Sequence, residues 1–224
     1  EKGICQYAAW PLTGFSIMLA EFDRLDPQFL PQLVADHPQI RDTYRFFIDL
    51  WCQGRQYYPN SGDSAGFAFR SRAYLPAMFQ RPGRDVCRMT WWALTSRDDR
   101  AQWQIPSMYT LMWRLYQITG DVNFAKLIYA ENDHHVGGLP WDLFSLNPAV
   151  VANEIAEVIA HQTSRFQVGS VNKQEWHLAV LRTGGEADCP EVWLDYDSGG
   201  GHGQADGMHL GIFAKGLDLL PDLG

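Results

Sequence analysis

The sequence has few cysteines and no long apolar run. Its four cysteines are widely spaced, at Cys5, Cys52, Cys87 and Cys189. Because no two of them form a Cys-x-x-Cys pair, a zinc ribbon or a thioredoxin-type redox site is disfavoured, whereas buried thiols and two disulfides both stay open. No apolar segment is as long as a membrane-spanning helix, so we expect no membrane span.

Basic residues are also in short supply. Lysine and arginine number 18 against 26 aspartates and glutamates, which gives a formal net charge of −8. Such a protein is a poor partner for nucleic acid, which is held mainly through phosphate contacts. An acidic substrate is not excluded, because a local basic cleft can exist on an acidic protein.

Aromatic residues are plentiful, and the apolar periodicity changes along the chain. Nine Trp, nine Tyr and twelve Phe among 224 residues suit sugar stacking, but they also fill cores. Helical spacing predicts helices over residues 13–25, 38–51, 65–78, 86–94, 106–119, 122–132 and 150–160. Alternation predicts strands over residues 176–182, 192–196, 208–214 and 217–220. Helices followed by strands indicate two domains of an α+β protein, with a boundary near residues 162–167.

Residues 198–206 form the most distinctive stretch and read Ser-Gly-Gly-Gly-His-Gly-Gln-Ala-Asp. Three consecutive glycines disfavour a helix and fit a turn that needs positive φ or a close backbone approach. They precede His202, whose side-chain type titrates near neutral pH. The sequence therefore predicts a histidine on a glycine-rich turn between two strands. On these residues alone, a ligand-facing turn and a hairpin with an incidental histidine are equally good interpretations.

The run from Gly199 to Gly224 resembles the signature of the heparinase II/III-like polysaccharide lyases. The glycines, His202, the Ala-Asp pair and the Leu-Pro-Asp ending all fall in its register. The resemblance implies part of a helical α/α toroid over residues 1–164, followed by the first strands of an antiparallel β-sandwich over residues 165–224. It also implies an active site in the cleft between these domains.

The resemblance also bears on where the protein works. It implies a secreted or periplasmic location. Because the chain starts at Glu1 with neither a methionine nor a signal peptide, we expect it to be an internal fragment of a longer protein.

The activity that the resemblance implies is β-elimination on an acidic, uronic-acid-containing polysaccharide or oligosaccharide, without an organic cofactor. His202 matches the histidine of the family's glycine turn, which implies a catalytic acid/base or charge-neutralising role. Tyr7 is the residue nearest to the place of the family's catalytic tyrosine, although its surroundings depart from the family's Gly-Pro-Tyr-Tyr-like pattern. We expect Trp10, Asn60 and His135 to bind substrate. The alternative for Asn60 is stabilisation of its own turn, and the alternative for His135 is a place in a surface loop without a ligand.

A structural zinc is a further implication of the resemblance. Its ligands would include Asp222 and the residue at position 204, which is Gln204 in place of the family's histidine. An amide oxygen is a poor zinc ligand compared with imidazole, so the site should be much weakened. Either the metal is absent, or a harder cation such as calcium replaces it.

Two other functions stay open at this point. A uronyl C5-epimerase of the same fold would share the proton abstraction but return a proton to C5. A catalytically inactive, carbohydrate-binding member would keep the fold and lose turnover. Gln204 favours that last reading modestly, because a loosened metal site would misplace the histidine turn.

Overall fold

The computed structural model describes residues 9–51, 106–132, 134–139, 147–184, 189–197, 208–215 and 217–220. Within these ranges the helices are α1 Ala9–Leu25, α2 Phe29–Asp36, α3 Gln39–Leu50, α4 Pro106–Thr119, α5 Val122–Glu131 and α6 Pro148–Gln162. The strands are β1 Val171–Lys173, β2 Leu178–Arg182, β3 Glu191–Asp195, β4 His209–Ala214 and β5 Leu217–Leu220. Helices precede strands, so the α+β composition is as the sequence predicts. The helices predicted over residues 65–78 and 86–94 lie outside the described ranges.

The chain divides into two compact units. Among the described residues, 10–48 and 106–166 belong to the first, which we call the helical unit. Residues 49–51 and 167–220 belong to the second, the sheet unit, so the last two residues of α3 fall in the sheet unit.

Side-chain caps fix where two helices of the helical unit begin. Asp121 is the N-cap of α5 and accepts a hydrogen bond from the backbone N–H of Asn123. Asn147 caps α6 in the same way, with Pro148 as the first helical residue. Helix α2 was not predicted, because Pro31 falls within it. The proline is tolerated there because first-turn N–H groups have no intrahelical acceptor.

Lys126 is a fully buried cation on α5. Its ammonium donates to the carbonyl of Gln162 at 3.1 Å and to that of Arg165 at 2.7 Å. Burial lowers the pKa of Lys126, and nearby Asp121 partly opposes that shift. The ammonium thus binds the carbonyl of the last residue of α6 and a carbonyl three residues beyond it, and its charge suits the C-terminal end of a helix.

Tyr44 on α3 is buried, and its hydroxyl lies 2.8 Å from Ser16 Oγ on α1. Burial raises the pKa of Tyr44 from 10.0 to about 12, and the Ser16 contact opposes that shift only in part. The folded state therefore holds this proton to a higher pH than the unfolded chain does. Tyr44 contributes stability that is complete below pH 10 and is lost as the pH rises toward about 12.

We expect this titration to lower the free energy of unfolding by roughly 2–3 kcal/mol across that alkaline window. Tyr44→Phe removes the titrating group, so its stability should fall less steeply with pH than that of the wild type. Urea titrations at pH values on both sides of the window measure the difference. Parallel pH profiles for the two proteins would show that Tyr44 ionises as freely in the folded state as in the unfolded chain.

The sheet is an antiparallel meander in the order β1-β2-β3-β4-β5. The four predicted strands are confirmed, with boundaries shifted by up to two residues. Strand β1 was not predicted, because its three residues include two polar ones. The predicted start of β2 is wrong. Trp176 ends a 3₁₀ turn, and His177 follows it in the left-handed region, with φ +48°.

The two faces of the sheet differ in an unexpected way. The buried face carries apolar residues together with the charged residues Arg182, Glu191 and Asp195. On the opposite face, the polar Asn172 of edge strand β1 pairs with Ala179, while strands β2–β4 present an apolar, partly exposed surface. It consists of Ala179 and Leu181 on β2, Val192 and Leu194 on β3, and Leu210 and Ile212 on β4. We call these six residues the apolar face.

Two of the charges on the buried face, Arg182 and Glu191, are paired. The Arg182 guanidinium is 2% exposed and contacts the fully buried Glu191 carboxylate at 3.2 Å. It also donates to the backbone carbonyls of Asp49, Trp51 and Gly169 at 2.7, 3.2 and 2.6 Å. Within the sheet unit, Arg182 thereby joins the sheet to the end of α3 and to Trp51, the residue that follows it.

Trp193 lies directly over Gly211, its partner on the neighbouring strand. A Cβ on Gly211 would stand 2.0 Å from Cε2 and 2.2 Å from Nε1 of the buried indole. Gly211→Ala should therefore cost about 1–3 kcal/mol, because the indole must shift within a packed layer. Gly169→Ala is the matched control, since a Cβ there has no neighbour within 4 Å.

Chemical denaturation of the two glycine variants measures this difference. Gly169→Ala should stay within about 0.5 kcal/mol of the wild type. Equal stability of the two variants would mean that the indole does not hold its position over Gly211.

Candidate functional site

Most of the predicted site residues lie outside the described ranges. These are Tyr7, Asn60, His202, Gln204 and Asp222. Trp10 falls on α1, and only its backbone is described. His135 lies in the loop after α5. The structure therefore describes the strands on either side of the glycine-rich stretch and the loop that carries His135.

Strands β3 and β4 frame the glycine-rich stretch. Asp195 at the end of β3 and His209 at the start of β4 are Cα partners in the antiparallel register. Residues 196–208, which include His202, therefore leave and rejoin the sheet at the same end. The strands expected on either side of the motif are confirmed, and their pairing closes the connection at its base.

The base of this connection is anchored by aromatic packing. The rings of Trp193 and His209 are stacked, with centroids 5.1 Å apart and planes inclined by 30°. Trp193 is 2% exposed. The buried Nε2 atom of His209 has no hydrogen-bond partner among the described residues. Stacking and the covered Gly211 together fix the first residues of β4 against β3.

Three further side chains meet beside this base. The Tyr196 hydroxyl donates to Asn172 Oδ1 at 2.7 Å. The His177 ring stands edge-on to Tyr196, with centroids 5.5 Å apart. The backbone N–H of Tyr196 donates to the His177 carbonyl at 2.8 Å. Asn172 and His177 are exposed, and Tyr196 is half-buried.

The sequence patterns did not predict this group. Tyr196 directly follows β3 and is the only one of the three that lies near the motif. Asn172 was missed because β1 was not predicted, and His177 was assigned to the strand that actually starts one residue later.

The loop after α5 holds His135 in an ordered but exposed position. The Asn132 amide donates to the carbonyls of His135 and Gly137 at 2.7 and 3.0 Å. His134 adopts φ +62° and places its ring edge-on to Tyr129, with centroids 5.4 Å apart. The exposed imidazole of His135 is available to a ligand.

The proposed metal ligands give a weak donor set. Within the described ranges, no group of three or more His, Cys, Asp or Glu side chains is arranged to hold a metal. Asp222 and Gln204 offer one carboxylate and one amide, which do not make a zinc site of the usual kind. We therefore assign no chemical step to a metal.

None of the helices in the described part of the chain combines the length and apolarity needed to cross a membrane.

Comparison with known proteins gives no relative, because no family model, no curated protein and no solved structure matches the chain.

Proposed function

We propose that the protein is a polysaccharide lyase that cleaves a uronic-acid-containing polysaccharide by β-elimination. The observation that carries the proposal is the paired base of the β3–β4 connection. The resemblance implies a catalytic histidine on a turn between two strands, and His202 lies in a segment that leaves and rejoins the sheet at paired residues. A rigid base of this kind suits a side chain that must meet its substrate in a fixed geometry.

We also propose the finer architecture of an α/α toroid followed by a β-sandwich. The apolar face supports the second part of this proposal. Leu181 is 61% exposed and Leu210 is 39% exposed, although both lie on inner strands of the sheet. Contiguous apolar surface on a sheet is typical of a face that packs against a second sheet.

The chemistry requires removal of a weakly acidic proton. The C5–H bond of the uronate breaks, its electron pair forms the C4–C5 double bond, and the C4–O bond breaks. A base takes the C5 proton, and an acid protonates the leaving oxygen. We propose that His202 and Tyr7 share these two roles, while Trp10, Asn60 and His135 hold the sugar.

The uronate carboxylate must be neutralised for this step, because charge develops beside it as C5 loses its proton. A donor or cation placed at the carboxylate stabilises that charge. His202 is also a candidate for this role, in which case Tyr7 would act as both base and acid.

A carbohydrate-binding protein without turnover is the second candidate. The specific observation in its favour is Gln204, which replaces the histidine that the resemblance implies. Such a protein would keep affinity for the glycan and release no product.

Ultraviolet absorbance tests the lyase proposal. The full-length protein is incubated with a panel of uronic-acid polysaccharides, and absorbance of the conjugated C4–C5 double bond is followed over time. Growth with one polymer supports elimination and identifies the substrate class, because hydrolysis leaves no such bond. If the absorbance stays constant with every polymer while the protein measurably binds a glycan, the lyase proposal is wrong and the carbohydrate-binding function takes its place.

A further inference from the structure

We propose that Asn172, His177 and Tyr196 form a sugar-binding platform that holds one pyranose ring of the polysaccharide. The three side chains come from β1, from the turn before β2 and from the residue after β3. They contact one another through the Tyr196–Asn172 hydrogen bond of 2.7 Å and the edge-on rings of Tyr196 and His177. We refer to this group as the platform.

The chemistry of the platform matches a pyranose. The half-buried Tyr196 ring offers apolar surface to the C–H face of a sugar. Asn172 accepts the Tyr196 proton through Oδ1, so both N–H donors of its exposed amide remain for hydroxyl groups. The exposed His177 imidazole adds a donor and an acceptor, and no hydrogen bond engages it within the described ranges.

The backbone holds the platform in place before a ligand arrives. His177 donates its N–H to the Gln174 carbonyl at 2.9 Å and accepts the Tyr196 N–H through its own carbonyl at 2.8 Å. Its φ of +48° is uncommon for a residue with a side chain. Such conformations persist where the surroundings fix them, often at ligand sites. Preorganised contact groups lose little freedom on binding, so more of the contact energy appears as affinity.

The position of the platform suggests which sugar it would hold. Tyr196 is the first residue of the connection that carries His202, and β3 ends and β4 starts at this end of the sheet. Asn172 lies on the edge strand, at the margin of the apolar face. A polymer bound by the proposed catalytic residues would therefore pass this end. The choice of a uronate polymer as the ligand rests on the proposed function, whereas the platform itself rests on the contacts above.

The test uses the full-length protein with the same polysaccharide panel, by affinity electrophoresis and by initial rates. Tyr196→Ala removes the ring and should weaken binding and raise KM about tenfold. Tyr196→Phe removes only the hydroxyl, and Asn172→Ala removes its partner, so each should raise KM about three- to tenfold. The Tyr196→Phe and Asn172→Ala substitutions remove the same hydrogen bond. The KM increase of the double variant should therefore be smaller than the product of the increases of the two single variants. His177→Gly is chosen over alanine because glycine tolerates positive φ.

Tyr116→Phe is the matched control, since it removes a tyrosine hydroxyl from α4 in the helical unit. It should leave binding unchanged, and denaturation midpoints establish that each variant is folded. For all platform variants kcat should change much less than KM. If the three residues only stabilise the fold, their substitution should instead lower the denaturation midpoint and leave KM unchanged.

The outcomes separate the platform from the lyase proposal. Binding that depends on Tyr196 without any turnover supports the platform and overturns the lyase. Turnover with an unchanged KM in Tyr196→Ala overturns the platform and leaves the lyase standing. Failure of the wild type to bind any polymer of the panel overturns the platform.

Discussion

Replacing His202 by alanine should lower turnover of the cleaved polymer by about 10²–10⁴-fold, the usual contribution of a positioned acid or base. The loss should fall on kcat, because the imidazole is proposed to act at the reacting atoms. Polymer binding should persist in the variant, because the platform contacts do not involve His202. Initial rates from the ultraviolet assay and affinity electrophoresis measure these two quantities separately.

His161→Ala is the control for this substitution. His161 is exposed in the last turn of α6, in the helical unit, and has no part in the proposed chemistry. It should keep the wild-type rate. An unchanged rate in His202→Ala would remove His202 from the mechanism, and with it the residue on which the resemblance most depends.

Replacing Arg182 by methionine should lower the free energy of unfolding by about 3–5 kcal/mol, the cost of breaking a buried ion pair from one side. The reason is that a nearly inaccessible guanidinium serves the Glu191 carboxylate and three backbone carbonyls at once. Methionine fills much of the volume but donates nothing. The end of α3 and Trp51 should also lose their attachment to the sheet, which amide exchange at Leu50 and Trp51 would detect.

Two controls separate burial from charge. Arg24→Met removes an exposed ion pair with Glu21, and should cost at most about 1 kcal/mol. The double variant Arg182→Met with Glu191→Leu replaces both charges by apolar groups, so it should be more stable than Arg182→Met alone. Urea denaturation of the four proteins settles the comparison. A loss for Arg182→Met as small as that for Arg24→Met would contradict the buried network.

The helices and central strands could be predicted because local signals agree with the tertiary packing. Helix α4 spans the predicted residues, and every residue from Met108 to Trp113 is buried. Asp121 caps α5 by a contact two residues away, which is visible in the sequence. Strands β3 and β4 carry alternating patterns, and the glycine-rich stretch separates them.

The sheet faces could not be assigned from the pattern. The sequence pattern alone would predict that Leu181 faces the core and that two charged residues, Arg182 and Glu191, face solvent. The structure places the leucine outward and buries the two charges against each other. Alternation shows which residues share a face, but only three-dimensional pairing shows which face is covered.

The platform escaped prediction for a related reason. Tyr196 and Asn172 are brought together across 24 residues by a strand too short and too polar to show a pattern. The left-handed His177 delays the start of the predicted strand from residue 176 to Leu178, and no residue type there signals that conformation. Contacts that depend on register are fixed by the whole sheet and not by the local sequence.

The most direct test of the lyase proposal is the mass of the products formed from a uronate oligosaccharide of defined length in deuterated water. Elimination adds no water, so the two product masses should sum to the mass of the substrate after the exchangeable hydrogens are returned to protium. Hydrolysis would leave a sum larger by one water and would contradict the proposal. An uncleaved oligosaccharide that gains carbon-bound deuterium would instead identify a C5-epimerase, and an unchanged mass would leave only binding.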